Sequence, residues 1–326
     1  MTRVGLGNGA ALLLSVVLAM STATRRSAEA PRSSDAPASA LSVNITTLRD
    51  GTKALVDRRG RAVPLKHYTR ILSGSSLVDE LLVALAERDR ILAVTRYGHD
   101  HSLPAPIAAG LATHPGLGSL ESVLALKPDL VITNHIGDPA QLERIEERGI
   151  PVFDLGDMRG LATLVPNIHA VATLLGRPDS GRDYADRFAR RLRNVSDGAP
   201  VAGSCLYVSI YGGQISGGSV GTSYHDVLVA AGFADAAAAR YRDWPTYTAE
   251  ELLALNPDFV LASDGMEETL CRHPGLDRLR VCEDRRRILT LPTDEIGDPG
   301  PGMLEAAEDL RKKLEAFRAS GAESTR

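Results

Sequence analysis

Two stretches of the chain carry the same pattern: LESVLALKPDLVITN at residues 120–134 and AEELLALNPDFVLAS at residues 249–263. Seven positions are identical, at a constant offset of 129 residues. A repeat that occurs only twice over so long a period is not typical of a solenoid. It predicts two lobes of similar build, and the cleft between two such lobes is a common place for a small ligand.

Each copy of the repeat is expected to be a short helix followed by a buried strand. The run of Leu and Ala favours a helix. The Lys-Pro-Asp or Asn-Pro-Asp step that follows ends it, because proline disfavours the helical conformation in the residue before it. The apolar segments DLVIT and DFVLA are typical of parallel strands covered on both faces. The predicted fold class is therefore α/β, with two lobes that each hold a mostly parallel sheet flanked by helices.

The domain organisation follows from length and targeting signals. The 326 residues are enough for two domains of ordinary size. Arg3 precedes an apolar run at residues 11–20 that is too short for an ordinary membrane span, and small residues follow it, as in a cleavable secretory signal peptide. The predicted division is a signal peptide at 1–23, a flexible leader at 24–42, a first lobe with a leading hairpin at 43–157, helices that include the interlobe helix at 158–198, and a second lobe at 199–320. The charged segment 179–195 is the candidate for the interlobe helix.

Charge and cysteine content narrow the class of protein further. The net charge of −4 and pI of about 6.1 argue against a nucleic-acid partner, since they imply no strongly basic face. No cysteine directly follows the apolar run, so a lipid anchor is not predicted. Cys271 and Cys282 share one loop-rich segment and are the candidate disulfide pair, whereas Cys205 lies in an apolar run and is expected to be a buried thiol. Sequence alone does not fix this pairing.

From about residue 43 to about 317 the chain resembles the class III periplasmic substrate-binding proteins of ABC importers, which carry ferric siderophores, heme and cobalamin. The resemblance rests on five segments: RILSGSSLVDELLVAL, SLESVLALKPDLVITN, GIPVFDL, GTSYHDVLVAAG and WPTYTAEELLALNPDFVLAS. It implies two α/β lobes joined by a single long helix, with the ligand in the cleft between them. It also implies a periplasmic monomer that is not an enzyme, has no intrinsic cofactor, and delivers its ligand to a membrane permease dimer with its ATPase.

The resemblance assigns a role to the two glutamates of the repeat. Glu121 and Glu250 match positions at which the family pairs with arginines on the two halves of the permease. Two equivalent carboxylates on a pseudo-twofold protein suit a twofold partner, and such charges set register more than affinity. The alternative is that both are acids favoured by the helix dipole in a first turn, and Glu251 could serve equally as the capping acid there.

The first cluster of candidate ligand-binding residues is Tyr97, His99 and His101, in the loop after the predicted strand ILAVTRY. Tyrosine and histidine are heme-iron ligands, and imidazole suits many transition metals. Tyr97 and His99 are the candidate metal ligands if the cargo is heme or a metal, with Asp100 as a partner that orients a histidine. The two histidines would point the same way only in an extended loop. A polar surface loop is the alternative, because histidine has many roles without a metal.

The second cluster consists of aromatic residues in loops of the second lobe. Only 4% of the chain is aromatic, yet Tyr211, Tyr241 and Trp244 fall close together. Aromatic faces suit flat or apolar ligands such as porphyrins, corrins and catecholate chelates. Tyr207 lies in a strand and is expected to be core instead.

The function that these features predict is capture of an iron complex, heme or a ferric siderophore, or of cobalamin. A siderophore would favour cationic groups such as Arg96 and Arg242. One alternative is a protein that binds free manganese, zinc or nickel through His99, His101 and a carboxylate such as Asp294 or Glu295. The other is a secreted metallohydrolase, which would need a third ligand and an activated water. The chain contains no HExxH motif.

Overall fold

The structure, a computed structural model, describes residues 43–134 and 138–323. The described residues belong to one compact unit. The predicted signal peptide and leader lie outside them. In the described ranges, no helix combines the length and apolar character needed to cross a membrane.

The first lobe contains a small antiparallel sheet followed by a parallel one. The antiparallel sheet consists of β1 (Ile45–Thr47), β2 (Lys53–Val56) and β3 (Ala62–Pro64). The parallel sheet consists of β4 (Ile71–Ser73), β5 (Ile91–Thr95), β6 (Thr113–His114), β7 (Leu130–Thr133) and β8 (Val152–Asp154), in the order β6-β5-β4-β7-β8. Its helices are α1 (Ser76–Leu85), α2 (Ala105–Ala108), α3 (Leu120–Leu126) and α4 (Pro139–Glu147), with a 3-10 turn at Arg88–Arg90 and a π-type turn at Gly98–Ser102. The predicted leading hairpin therefore gains a third strand.

Two helices, α5 (Leu161–Leu174) and α6 (Pro178–Asn194), follow the first lobe. They pack closely, because a Cβ at Gly181 of α6 would lie 2.3 Å from the Cβ of Ala172. At the start of α6, Arg177 Nη1 donates to Leu85 O of α1 at 3.0 Å. Near its end, Arg191 Nη2 donates to Glu308 Oε1 at 2.9 Å. Helix α6 thus begins against the first lobe and ends against the last helix of the chain.

The second lobe holds a mixed sheet. Its strands are β9 (Ser204–Tyr211), β10 (Gln214–Gly218), β11 (Ala234–Asp235), β12 (Thr246–Tyr247), β13 (Phe259–Ser263) and β14 (Ile288–Leu291). The order is β12-β10-β9-β13-β14, in which β9, β13 and β14 are parallel, β10 is antiparallel to both neighbours, and β11 pairs with β9. Its helices are α7 (Ser223–Ala230), α8 (Ala249–Leu255), α9 (Met266–Arg272), α10 (Arg280–Glu283), α11 (Thr293–Ile296) and α12 (Met303–Glu323), with a 3-10 turn at Arg285–Arg287. The predicted two-lobe α/β fold is confirmed.

The repeat forms the same helix-to-strand unit in both lobes, α3 into β7 and α8 into β13. Lys127 and Asn256, which precede the two prolines, both adopt the left-handed conformation, with φ of 51° and 36°. The aspartate after each proline then caps the neighbouring central strand. Asp129 accepts from Thr69 N at 2.7 Å, and Asp258 accepts from Ser204 N at 3.0 Å. The Pro-Asp step therefore ends a helix and aligns the strand beside it.

One hydrophobic core runs through the junction between the lobes. The same cluster of buried side chains contains Leu81 of α1, Leu164 of α5, Phe188 of α6, Val227 of α7 and Leu310 of α12. Burying apolar surface is the main favourable term in folding, so a wide opening of the lobes would expose part of a shared core. The arrangement favours a largely fixed cleft.

Cys271 in α9 and Cys282 in α10 form a disulfide with a Cα–Cα distance of 5.6 Å. It closes the loop between two short helices of the second lobe. Cys205 is a buried free thiol in β9, which is the arrangement that the positions of the three cysteines suggested.

Candidate ligand site between the lobes

A cavity of about 470 Å³ lies where the two lobes meet. Its wall on the first-lobe side comes from the start of α1, the turn after β5 and Asn134 after β7. Its wall on the second-lobe side comes from residues 292–305, which run from the end of β14 into the first turn of α12. Strands β4, β5, β7 and β14 all point their carboxyl ends at this region, where ligands bind in open α/β sheets.

The turn after β5 is held by a buried carboxylate from α1. Asp79 is fully buried and accepts from Thr95 N at 3.0 Å and from Thr95 Oγ1 at 2.5 Å. Gly98 N in turn donates to Thr95 Oγ1 at 3.0 Å. A Cβ at Gly98 would lie 2.0 Å from Asp79 Oδ2, so only glycine fits this close approach. Burial raises the pKa of Asp79 to about 6, although hydrogen bonds from Ser73 and Thr95 oppose the shift.

This turn pairs Tyr97 with His101 and separates His99 from both. The two histidines could point the same way only in an extended loop, and residues 98–102 instead wind into a helical turn. Residues four apart share a face of a helical turn, and the rings of Tyr97 and His101 lie 4.8 Å apart and both line the cavity. His99 is not part of the lining and instead contacts Asp100 Oδ1 through Nδ1 at 2.8 Å.

The wall from the second lobe is acidic. The side chain of Glu80 on α1 hydrogen-bonds to that of Asp298, which also accepts from Gly300 N and Gly302 N, both at 2.7 Å. Burial, followed by repulsion from Asp298, raises the pKa of Glu80 to about 10. Burial also raises the pKa of Asp298. The pair therefore holds a proton at neutral pH and joins the two lobes through it.

Three predicted aromatic residues lie elsewhere. Tyr211, at the β9–β10 turn, is 88% exposed. Tyr241 packs edge-on against Tyr247 with centroids 5.1 Å apart, and Trp244 lies under the guanidinium of Arg159 at 4.5 Å. None of Tyr211, Tyr241 and Trp244 lines the cavity.

The other residues weighed from the sequence are also placed. Tyr207 is buried, as predicted, and stacks on Tyr224 at 3.7 Å. Arg96 and Arg242 are exposed and are not part of the cavity wall. Among residues 43–134 and 138–323, no three His, Cys, Asp or Glu side chains are grouped so that they could hold a metal ion. His99, His101 and the carboxylates Asp294 and Glu295 therefore do not assemble the predicted free-metal site in the part of the chain described.

Most residues of the cavity wall were not candidates from the sequence, among them Glu80, Asn134, Asp298 and Glu305. A signal existed for two of them. Glu80 is a charged residue within the apolar stretch LVDELLVAL, and Asp298 belongs to the acidic segment TDEIGDPGPG, which was interpreted only as a loop. Nothing in the sequence indicated that these two segments meet.

The two glutamates of the repeat occupy equivalent positions. Glu121 and Glu250 lie in the first turns of α3 and α8, and both are exposed. Each helix precedes its strand and runs back along the sheet, so its first turn lies near the carboxyl edge of that sheet. Glu251 closes the capping box of α8 by accepting from Thr248 N at 2.8 Å. Glu250 therefore does not have to serve as the capping acid.

Comparison with known proteins identifies the class. Residues 71–292 match the family model described as periplasmic binding protein. A vitamin B12-binding protein of Photorhabdus laumondii is 24% identical over 251 residues, which cover 75% of this chain and 87% of that protein. This match covers more than two thirds of the chain, and the family model covers more than half.

Two solved structures show the same fold. A possible iron-binding (periplasmic solute-binding) protein from Staphylococcus epidermidis aligns with a TM-score of 0.65 at 20% identity, covering 76% of this chain and 99% of that one. The periplasmic heme-binding protein RhuT from Roseiflexus sp. RS-1 aligns with a TM-score of 0.62 at 24% identity, covering 75% and 97%. The chain belongs to the periplasmic binding protein family.

Proposed function

We propose that the protein captures an iron complex, heme or a ferric siderophore, or cobalamin in the cavity between its lobes and delivers it to the permease of an ABC importer. The observation that carries the proposal is the position of the cavity: both lobes build its wall, at the carboxyl ends of their parallel strands. Its volume of about 470 Å³ falls in the range of small-molecule sites. The relatives whose names mention heme, iron or vitamin B12 support this class of cargo.

The arrangement of the Tyr97 and His101 rings favours a ligand whose metal is already coordinated by a chelator. Tyr97 and His101 come from one turn and contact each other. They approach the cavity from one side, so in this conformation they do not enclose a metal from opposite faces. A chelate whose metal is already coordinated needs only packing and one or two polar contacts from such a wall. The rings supply the packing.

Delivery is assigned to the exposed carboxylates Glu121 and Glu250. They sit on equivalent helices of the two lobes, which suits a permease with two similar halves. In this proposal the mature protein works in the periplasm after removal of residues 1–23, and it performs no catalysis. The shared core between the lobes keeps the two glutamates at a nearly constant separation.

The test is a titration of the purified mature protein, followed by absorption and by thermal unfolding. The ligands are hemin, a panel of ferric siderophores, cyanocobalamin, and manganese, zinc and nickel salts. The proposal expects at least one chelate to bind with a defined stoichiometry and to raise the unfolding temperature, since a ligand specific for the native state stabilises it. Stabilisation by free metal alone, with none from any chelate, would overturn it.

A further inference from the structure

The charged side chains of the cavity wall are almost all acidic. Five carboxylic acids line it: Glu80, Asp294, Glu295, Asp298 and Glu305. Within the described ranges the lining contains no lysine or arginine, and His101 is its one basic side chain. An anionic ligand would meet carboxylates at close range, with only His101 to offset them. The wall therefore selects against negative charge on the side of the cargo that faces the second lobe.

A second observation, independent of the acids, points to a hydrogen-bond donor on the ligand. Asn134 is 8% exposed and lines the same cavity. Its Oδ1 atom is buried and has no hydrogen-bond partner in the described part of the chain. Buried polar atoms are normally paired. A small rotation of the amide would turn this unpaired acceptor toward a donor that arrives with the ligand.

We propose that the cargo presents a cationic hydrogen-bond donor, an ammonium or a guanidinium, to the wall formed by Asn134, Glu80, Asp298 and Glu305. This inference rests on the proposed function and adds the chemical class of the group that the site recognises. A charged donor makes the stronger class of hydrogen bond with carboxylates, and Asn134 Oδ1 accepts a further one. A cargo with carboxylates or catecholate charges on that side would be rejected.

The protonation of the cavity wall agrees with this assignment. Burial, followed by repulsion from Asp309, Glu305 and Asp294, raises the pKa of Glu295 to about 7, and Lys313 only partly opposes it. Glu80 faces Asp298 and Asp79, and Tyr184 on α6 is close enough for its own pKa to be raised by Glu80. An ammonium in the cavity would take over the charge neutralisation that the proton of the Glu80–Asp298 pair provides, and that proton would pass to solvent.

The experiment compares ligands that differ in one charge. Ferrioxamine B, a ferric trihydroxamate with a free terminal ammonium, and its N-acetylated form are titrated against the mature protein, with quenching of the single tryptophan as the signal. Hemin and cyanocobalamin are titrated in parallel. The inference expects ferrioxamine B to bind on the order of tenfold tighter than the acetylated form. Equal affinities for the two trihydroxamates would overturn it. Binding of hemin or cyanocobalamin without ferrioxamine B would also overturn the inference, because neither carries an ammonium or a guanidinium.

Variants test whether the carboxylates recognise the charged group. Glu305→Gln and Glu295→Gln are expected to weaken the binding of ferrioxamine B more than that of its acetylated form, and Asn134→Leu to weaken it further. Glu283→Gln, an exposed acid outside the cavity, is the matched control. Unchanged or tighter binding by the cavity variants, with normal thermal unfolding, would overturn the inference while the transport proposal stands. Binding of no chelate at all would instead sink the transport proposal.

Discussion

The guanidinium of Arg159 lies 4.5 Å from the centre of the Trp244 ring and donates from Nη1 to Asp243 Oδ1 at 2.8 Å. Arg159 follows β8 of the first lobe, whereas Asp243 and Trp244 precede β12 of the second. One side chain therefore bridges the lobes beside the start of α5. A cation over an indole ring at a partly exposed site contributes about 0.5–1 kcal/mol.

Replacing this bridge should loosen the contact without unfolding the protein. Arg159→Gln is expected to lower the free energy of unfolding by about 1 kcal/mol, because it removes one cation–π contact and one exposed ion pair. Trp244 is the single tryptophan, so its fluorescence reports directly on the contact. We expect acrylamide to quench the variant more strongly, and Arg96→Gln, which changes an exposed arginine, to behave like the parent. Identical quenching in the parent and Arg159→Gln would show that the bridge does not form in solution.

The two Pro-Asp steps should be of similar importance for stability. Asp129→Ala leaves the amides of Thr69 and Arg70 without their acceptor, and Asp258→Ala does the same to Ser204 N. Each is expected to cost about 0.5–1.5 kcal/mol, the usual net contribution of a hydrogen bond, because these donors are exposed or only partly buried. Urea unfolding measures this loss, with the exposed Asp183→Ala as the control. If either variant matched the control, the equivalence of the two copies would be in error.

A feature of the fold or of the site could be predicted from the sequence when it depends on residues that are neighbours in the chain, and not when it depends on residues far apart. The repeat, the α/β class and the Pro-Asp turns depend on neighbouring residues, and local patterns were enough to predict them. The pairing of Tyr97 with His101 was missed because Asp79, sixteen residues before Thr95, holds Thr95 and so the turn that brings the two rings together. No local signal shows that contact.

The cavity wall was beyond sequence analysis for a related reason. Glu80 and Asp298 are more than 200 residues apart, and each segment alone is typical of an ordinary helix or loop. Trp244 and Tyr241 were chosen for their type and their position in loops. The structure shows that Arg159 and Tyr247 already occupy their ring surfaces. Residue type indicated what each side chain could bind, but it did not show which neighbouring side chains each one contacts.

The Glu80–Asp298 pair predicts that stability falls as pH rises. The pKa of Glu80 is raised to about 10 in the folded state by burial and by Asp298, against 4.5 for the unfolded chain. The folded protein thus binds more protons than the unfolded chain between these values, and its stability decreases with pH by at most about 1.4 kcal/mol per unit for one such group. Asp79, Asp298 and Tyr184 are the ionisable groups whose electrostatic coupling to it is resolved.

Neutralising the pair should remove that dependence. Glu80→Gln is expected to show a flatter curve of unfolding temperature against pH from 6 to 9, because no buried proton has to be lost. Glu121→Gln, which neutralises an exposed carboxylate, is the control and should retain the slope of the parent. Parallel curves for the parent and Glu80→Gln would mean that the pair is not protonated at the junction.

Docking should depend on both glutamates of the repeat. Reversing the charge in Glu121→Arg or Glu250→Arg is expected to reduce uptake through the cognate permease several-fold, and the double variant more, since interface charges set encounter and register. Ligand affinity should not change, because neither residue lines the cavity. Glu251→Arg tests the neighbouring position in the same turn. Full uptake by the double variant would remove these residues from the docking surface.

The central claim, that a metal chelate binds between the lobes, is tested most directly by calorimetric titration of Tyr97→Ala and His101→Ala with whichever chelate the parent binds. We expect both variants to lose about tenfold or more in affinity, since each loses an aromatic contact in the cavity wall, and Tyr211→Ala, at a site 88% exposed and outside the cavity, to bind like the parent. Parental affinity in both cavity variants, with loss in Tyr211→Ala, would place the ligand elsewhere and contradict the account.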